Sequence, residues 1–406
     1  MDVDWRGLET AVRDQITRFV RRMRAEHPGD HVYGAAVHEF YAESGGVIMW
    51  PVVGVASEES VGADRDLRWS PADWPWQRDP GDVEDEWAER LTTAAVDGDW
   101  DAVHNRYLAT VVTACAAARH DLMRDGVVDE DFLVVAMDEA WELVPRALTD
   151  EQLRRHFPEL DAERRELDRL AALPAVERAA ELIALAESHR GVVGREKALA
   201  LLREIGPAVV PLVVERLATS RERWQWAMLL AELGDAGQEV IAALEPVLAN
   251  RKLPEPDRAW AAAALARLGR MDLVTARLVT LPEEVGTRGL TGPYMSFRDH
   301  GVHGPLDYTP LADALTRHPD WQPAVLRRFA PGGAFCVLDP DEVPAALAGL
   351  TSPHAAIRRH AVIVLSGVRL TPGQWREYTT ALTRLREKDP DPAVRGTATA
   401  ATGWVR

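Results

Sequence analysis

The sequence predicts a multi-domain chain: an N-terminal α+β domain over residues 1–150, then an all-α solenoid of helix-pair repeats over residues 191–406. Three observations carry this. Apolar spacing passes from helical to strand-like and back before residue 140. Glycine-punctuated helix pairs recur beyond residue 190. Charge also divides: residues 1–190 hold 40 Asp and Glu against 21 Lys and Arg, and residues 191–406 hold 24 against 26. A length of 406 residues exceeds one comfortable core, so more than one domain is expected.

Trp5, Leu8, Val12, Ile16, Phe19 and Met23 fall on one face of a helix that stops near His27-Pro28-Gly29. Two β-rich runs, Val32–Val37 and Val47–Val53, flank a polar turn at Glu43-Ser44-Gly45-Gly46 and read as an antiparallel hairpin. Pro51 cannot donate to a ladder, which places that second strand at an edge or a bulge. A long helix is expected from Asp101 to Arg124, stopped by Asp125-Gly126, and a late strand at Phe132–Met137.

Five of the 14 tryptophans lie between residues 64 and 100: Trp69, Trp74, Trp76, Trp87 and Trp100. Such a loop either grips a partner, tryptophan being a favoured hot-spot residue, or folds back to supply buried area. The second reading is favoured, with Trp74 and Trp76 kept as candidate partner contacts. Beside it, Asp79-Pro80-Gly81-Asp82-Val83-Glu84-Asp85-Glu86 carries five acidic residues in eight and lacks calcium-loop spacing. It reads as a solvated acidic loop or helix start, with Asp79, Asp82, Glu84, Asp85 and Glu86 as candidate contacts for a basic partner.

The helix ending near Glu26-His27-Pro28, the Val32-Tyr33-Gly34 strand, the Arg68-Trp69-Ser70-Pro71 loop and the Phe132–Asp138 strand together resemble an uncharacterised bacterial domain-of-unknown-function family, over roughly residues 5–150. That resemblance implies a neutralising or sensing role in bacterial conflict systems, without established chemistry.

Residues 151–190 read as a helical linker or cap, with a charged helix at Leu160–Leu170 and an atypical first pair at 175–190. Further on, Gly206, Gly234 and Gly269 stand 28 and 35 residues apart, where helices must stop. Helices starting near Pro256, Ala355 and Pro392 share a first turn with an apolar residue and an arginine, then small residues. The segment Asp389-Pro390-Asp391-Pro392-Ala393-Val394-Arg395 and these spacings resemble HEAT repeats, about five or six in number, whose alanines allow close helix approach. An irregular loop at 286–310 interrupts them, too rich in glycine and proline for helix, and is expected to be ordered by its aromatics.

That loop supplies the other candidate partner contacts: Tyr294, Phe297, Arg298, Asp299, His300 and His303. With Asp307 it also holds the only cluster of plausible metal-ligand types, but in a glycine-rich setting that favours internal hydrogen bonds, so no metal and no cofactor is expected. Nucleophile-elbow, phosphate-loop and dinucleotide motifs are absent from the sequence. Arg216, Arg221, Arg223, Arg258, Arg327, Arg328, Arg358 and Arg359 could form a basic stripe, yet a net charge near zero there and an acidic first half argue against nucleic acid. Two distant cysteines, an acidic polar start and no long apolar run lead to the expectation of a cytoplasmic protein without a membrane span. The function expected is a non-enzymatic protein-interaction scaffold, immunity-like in binding a basic partner. The alternative is a HEAT-like nucleic-acid-binding or base-modifying enzyme.

Overall fold

The computed structural model describes residues 3–43, 46–62, 67–188 and 191–404. The chain divides into two compact units, Met1–Glu166 and Leu167–Arg406. Among the described residues, no helix is long and apolar enough to cross a membrane.

In the N-terminal unit the first apolar stripe forms α1 (Trp5–Glu26), opened by the Asp4 carboxylate accepting from the Gly7 N–H at 3.0 Å. Strand β1 (Val32–His38) follows, then β2 (Val52–Ser57), a short α2 (Glu58–Val61) and β3 (Trp76–Arg78). Helices α3 (Asp82–Asp97) and α4 (Trp100–Arg124) lead to β4 (Leu133–Ala136). The short α5 (Val144–Ala147) and α6 (Asp150–His156) close the unit, and α7 (Pro158–Ala171) spans its boundary. The sheet order is β3-β2-β1-β4, with β4 parallel to β1 and the other pairs antiparallel.

Alternation along the strands sends side chains to two covered faces. Ala35, Val37, Val53, Val55, Val134 and Ala136 pack with the apolar residues of α1 and α4. Ala36, Ala56, Leu133 and Val135 meet Trp69, Trp74, Leu153 and Phe157 on the other side.

The expected hairpin is placed differently. Its second strand begins at Val52, and only an isolated Ala42–Ile48 bridge precedes it; Ser44 and Gly45 of the expected turn lie outside the described residues. β2 is an interior strand, not an edge. Pro51 sits just before it and so removes no ladder bond.

The C-terminal unit is all helix and loop. It continues through α8 (Ala175–Glu187), α9 (Arg195–Ile205), α10 (Val210–Thr219), α11 (Arg223–Glu232), α12 (Gln238–Ala249), α13 (Glu255–Arg267), α14 (Met271–Thr275) and α15 (Glu283–Thr291). Next come α16 (Thr309–Arg317), α17 (Gln322–Arg328), α18 (Val343–Gly349), α19 (Ala355–Ser366), α20 (Pro372–Lys388) and α21 (Pro392–Trp404). The odd-numbered helices from α9 to α21 touch in succession, and even-numbered ones pair α8 with α10, α10 with α12, α14 with α16, and α18 with α20. Two ladders of helices sharing one apolar core are the architecture of a helical-repeat stack. Gly206, Gly234 and Gly269 follow α9, α11 and α13 at φ of 76°, 70° and 79°, where a side chain would be strained.

The expected loop at 286–310 needs correction. Its first residues belong to α15, followed by 3₁₀ turns at Gly292–Tyr294 and Ser296–Asp299. The glycines there do not break the helix. A Cβ on Gly289 would stand 2.9 Å from Cβ of Ala262, and one on Gly292 would stand 3.0 Å from Cβ of Ala263. α15 lies so close to α13 that a methyl group has no room.

Candidate functional site

The acidic segment is the start of a helix. Asp82 and Asp85 lie in the first turn of α3, where the unpaired N–H groups favour negative charge. Asp79, Asp82, Asp85 and Glu86 are exposed. Glu84 differs: it is buried, accepts from the Gly81 N–H at 3.1 Å and pairs with Arg78 at 2.9 Å. It closes the helix start and has no free face to offer. Trp74 is also buried, its indole N–H donating to the Leu67 carbonyl at 3.1 Å. Trp76 is half-buried and stacks on His27 at 4.4 Å.

The first part of the segment, from Tyr294 to Arg298, is folded inward. Tyr294, Phe297 and Arg298 are buried, so their side chains do not form an outer surface. Tyr294 donates to the Asp307 carbonyl at 2.8 Å. Arg298 pairs with the equally buried Glu342, which also accepts from the Leu306 and Asp339 N–H groups at 2.7 and 3.1 Å. Arg267 donates to the carbonyls of Phe297 and His300, and burial lowers its pKa to about 10. Asp299 accepts from the Val337 N–H at 2.9 Å, and burial pushes its carboxyl up. Of the six candidate contacts, His303 is half-buried and His300 is exposed. Among the described residues, no three His, Cys, Asp or Glu side chains are grouped to hold a metal ion.

The arginines considered as a basic stripe are mostly engaged within the fold. Arg258 donates to the Leu248 carbonyl at 3.2 Å, and Arg358 holds Asp389. Arg359 reaches Thr397 and the Leu326 carbonyl, while Arg216 and Arg327 pair with Glu187 and Glu283.

Two cavities open in the N-terminal unit, on the sheet face covered by Trp69. A cavity of about 980 Å³ lies against Tyr33, Glu58, Arg68, Trp69, Trp141 and His156. A second, of about 460 Å³, opens at the carboxyl ends of the parallel strands β1 and β4, against His38, Glu39, Asp138 and Glu139. Trp69, Ser70 and Trp141 belong to both walls. The floor is shaped by glycine: a Cβ on Gly34 would stand 3.0 Å from the Trp69 ring, and one on Gly54 3.0 Å from Trp74.

Polar groups line this cleft unevenly. Arg68 lies 4.1 Å over the Tyr33 ring and grips both oxygens of Glu58 at 2.7 and 2.8 Å. Burial, then the nearby Arg155 and Arg68, holds His156 below its ordinary value. Burial does the same to His38, which lies 3.0 Å from the Gln77 side-chain oxygen. Neither imidazole therefore adds positive charge at neutral pH. Among the described residues, Glu39 and Trp141 are the two non-glycine residues at positive φ, 59° and 60°, and both border the smaller cavity. Sequence reasoning saw the Trp69 loop but not this site. The only signal was the strand-loop-strand order that brings residues 33, 69, 141 and 156 together.

No protein-family model matches the chain, and no curated protein does. Among solved structures, human deoxyhypusine hydroxylase in complex with glycerol is 15% identical over 58% of this chain and 98% of that one, with a TM-score of 0.25. Two engineered proteins are 16% and 14% identical, covering 60% and 78% of this chain and 96% and 88% of their own, with TM-scores of 0.22 and 0.23. Scores this low carry no weight for function, and the helical-repeat assignment rests on the two ladders of helices.

Proposed function

We propose that this protein is a non-enzymatic interaction scaffold whose acidic N-terminal unit binds a basic partner protein, in the manner of an immunity-like inhibitor. The observation that carries the reading is where the charge lies. Residues 1–166 hold 36 Asp and Glu against 18 Arg, while residues 167–406 are nearly balanced at 28 against 29. On α3 the exposed Asp82, Asp85, Glu86 and Glu89 share the helix with a single basic residue, Arg90, itself exposed and 3.4 Å from Glu86. A field of one sign steers an oppositely charged protein and weakens with salt. The helical repeats support the same reading, since such stacks offer extended surfaces suited to protein recognition.

The test is affinity purification of the tagged chain from its own cells at low and at moderate salt. The expected result is a basic protein that is lost as salt rises and recovered less well by an Asp82→Asn, Asp85→Asn, Glu86→Gln variant. Recovery of nucleic acid alone, or of no other macromolecule, overturns the proposal.

A further inference from the structure

We infer that the cleft walled by Trp69 and Trp141 receives an extended basic peptide segment, with arginine or lysine side chains set against its aromatic rings and carboxylates. This rests on the reading that the unit binds a basic protein, and it locates the grip away from α3.

The charge of the walls selects a cation. Among the described residues, Glu39, Glu58, Asp138, Glu139 and Glu159 border the two cavities, against Arg68 alone of the arginines and lysines. Arg68 is already committed to Glu58. Glu139 and Glu159 are exposed, and among the described residues neither has an ion-pair partner. Trp141 is 37% exposed, unusual for so large an apolar ring, and stands in the wall shared by both cavities.

The cleft also shows, with its own Arg68, how it treats a guanidinium: a ring beneath it and a carboxylate beside it. Trp141 with Glu139 or Glu159 offers a second arrangement of the same kind to an incoming side chain. Cation–π contacts gain strength where water is excluded.

The extent of the cleft points to a peptide and not to a free cation. Positive φ at Glu39 and Trp141 fits the same place, because strained backbone tends to persist where a ligand is bound. A combined space on the scale of 1,000 Å³ suits several residues of extended chain better than one ion.

The test uses the full chain and a blocked hexapeptide alternating glycine and arginine, with an alternating glycine–glutamate peptide as control, read by calorimetry. The arginine peptide is expected to bind. A Glu139→Gln, Glu159→Gln variant and a Trp141→Ala variant should each weaken it about tenfold. A Glu26→Gln, Asp101→Asn variant, which removes the same charge elsewhere on the unit, should change it less than about twofold. Both substituted carboxylates are exposed, so an unchanged melting temperature confirms that the first variant still folds. No binding by the unaltered chain, equal weakening by both charge variants, or a preference for the glutamate peptide overturns the inference. If the peptide binds the cleft as expected while purification yields no basic protein, the cleft stands and the proposed function falls. If the basic protein is recovered but cleft variants retain it and the peptide, the reverse holds.

Discussion

A methyl group on Gly289 would stand 2.9 Å from Cβ of Ala262, a distance that van der Waals contact does not allow. The relationship binds α15 to α13 and explains why α13 reads Ala261-Ala262-Ala263-Ala264, four residues that are all fully buried. Two backbones approach this closely only when both sides have given up bulk.

Gly289→Ala is therefore expected to destabilise the chain by about 1–3 kcal/mol through overpacking. Gly396 in α21 has nothing within 4 Å of its would-be Cβ, and Gly396→Ala should stabilise by about 0.5–1 kcal/mol. Opposite shifts in melting temperature confirm the contrast; two shifts of one sign refute it.

Arg358 holds the carboxylate of Asp389 through two nitrogens at 2.7 and 2.8 Å, with both side chains at most 10% exposed. The pair ties α19 to the turn that opens α21. Removing either partner leaves a buried charge, so Arg358→Ala or Asp389→Ala should cost about 3–5 kcal/mol. Arg358→Met combined with Asp389→Leu should cost less than either single change. Chemical denaturation of the three variants is the measurement, and additive losses would rule out a coupled pair.

His360 is fully buried, and burial lowers its pKa from 6.5 to about 4. Its Nε2 lies 2.7 Å from the Tyr294 carbonyl, which can only accept, so Nε2 carries the proton and Nδ1 accepts from the Tyr308 hydroxyl at 2.6 Å. Below pH 6.5 the unfolded chain takes up a proton that the folded chain refuses. The stability owed to neutral His360 is thus present above pH 6.5 and is lost as pH falls through about 4, an amplitude of about 3 kcal/mol. His360→Gln should flatten the loss of stability between pH 7 and 4 relative to the unaltered chain. Parallel curves for the two proteins would contradict this.

Cys115 and Cys336 are buried, and burial pushes both thiols up to about 12. The folded protein should be inert to a thiol reagent at pH 8, and both cysteines should react once it is denatured. Stoichiometric labelling of the native chain would show that one of these sites opens readily.

The first helix was legible because Leu8, Val12, Ile16, Phe19 and Met23 repeat at helical spacing and face one core. The helix-pair stack was legible for a similar reason: Gly206, Gly234 and Gly269 punctuate helices whose neighbours lie close in sequence. Composition marked the acidic run at the start of α3 but left a loop and a helix start equally open. Misreading came where one residue type serves two physical ends. Gly289 and Gly292 look like loop residues until α13 is seen beside them, and Gly286 until Trp321 is. Tyr294, Phe297 and Arg298 look like a binding loop until Glu342, 44 residues beyond Arg298, supplies the counter-charge that lets the segment turn inward.

By itself, then, the sequence determined the two classes of structure, the divided charge and most of the short-range helices and strands, β2 and α15 excepted, because periodicity and composition act over a few residues. Only the tertiary structure decided which polar groups are buried and which are free, and where a cleft forms. Tyr33, Trp69, Trp141 and His156 meet across 123 residues because β1 and β4 pair in parallel and Phe157 packs beneath Trp69. No local pattern encodes such a meeting, since it depends on long-range pairing and on the packing of remote side chains.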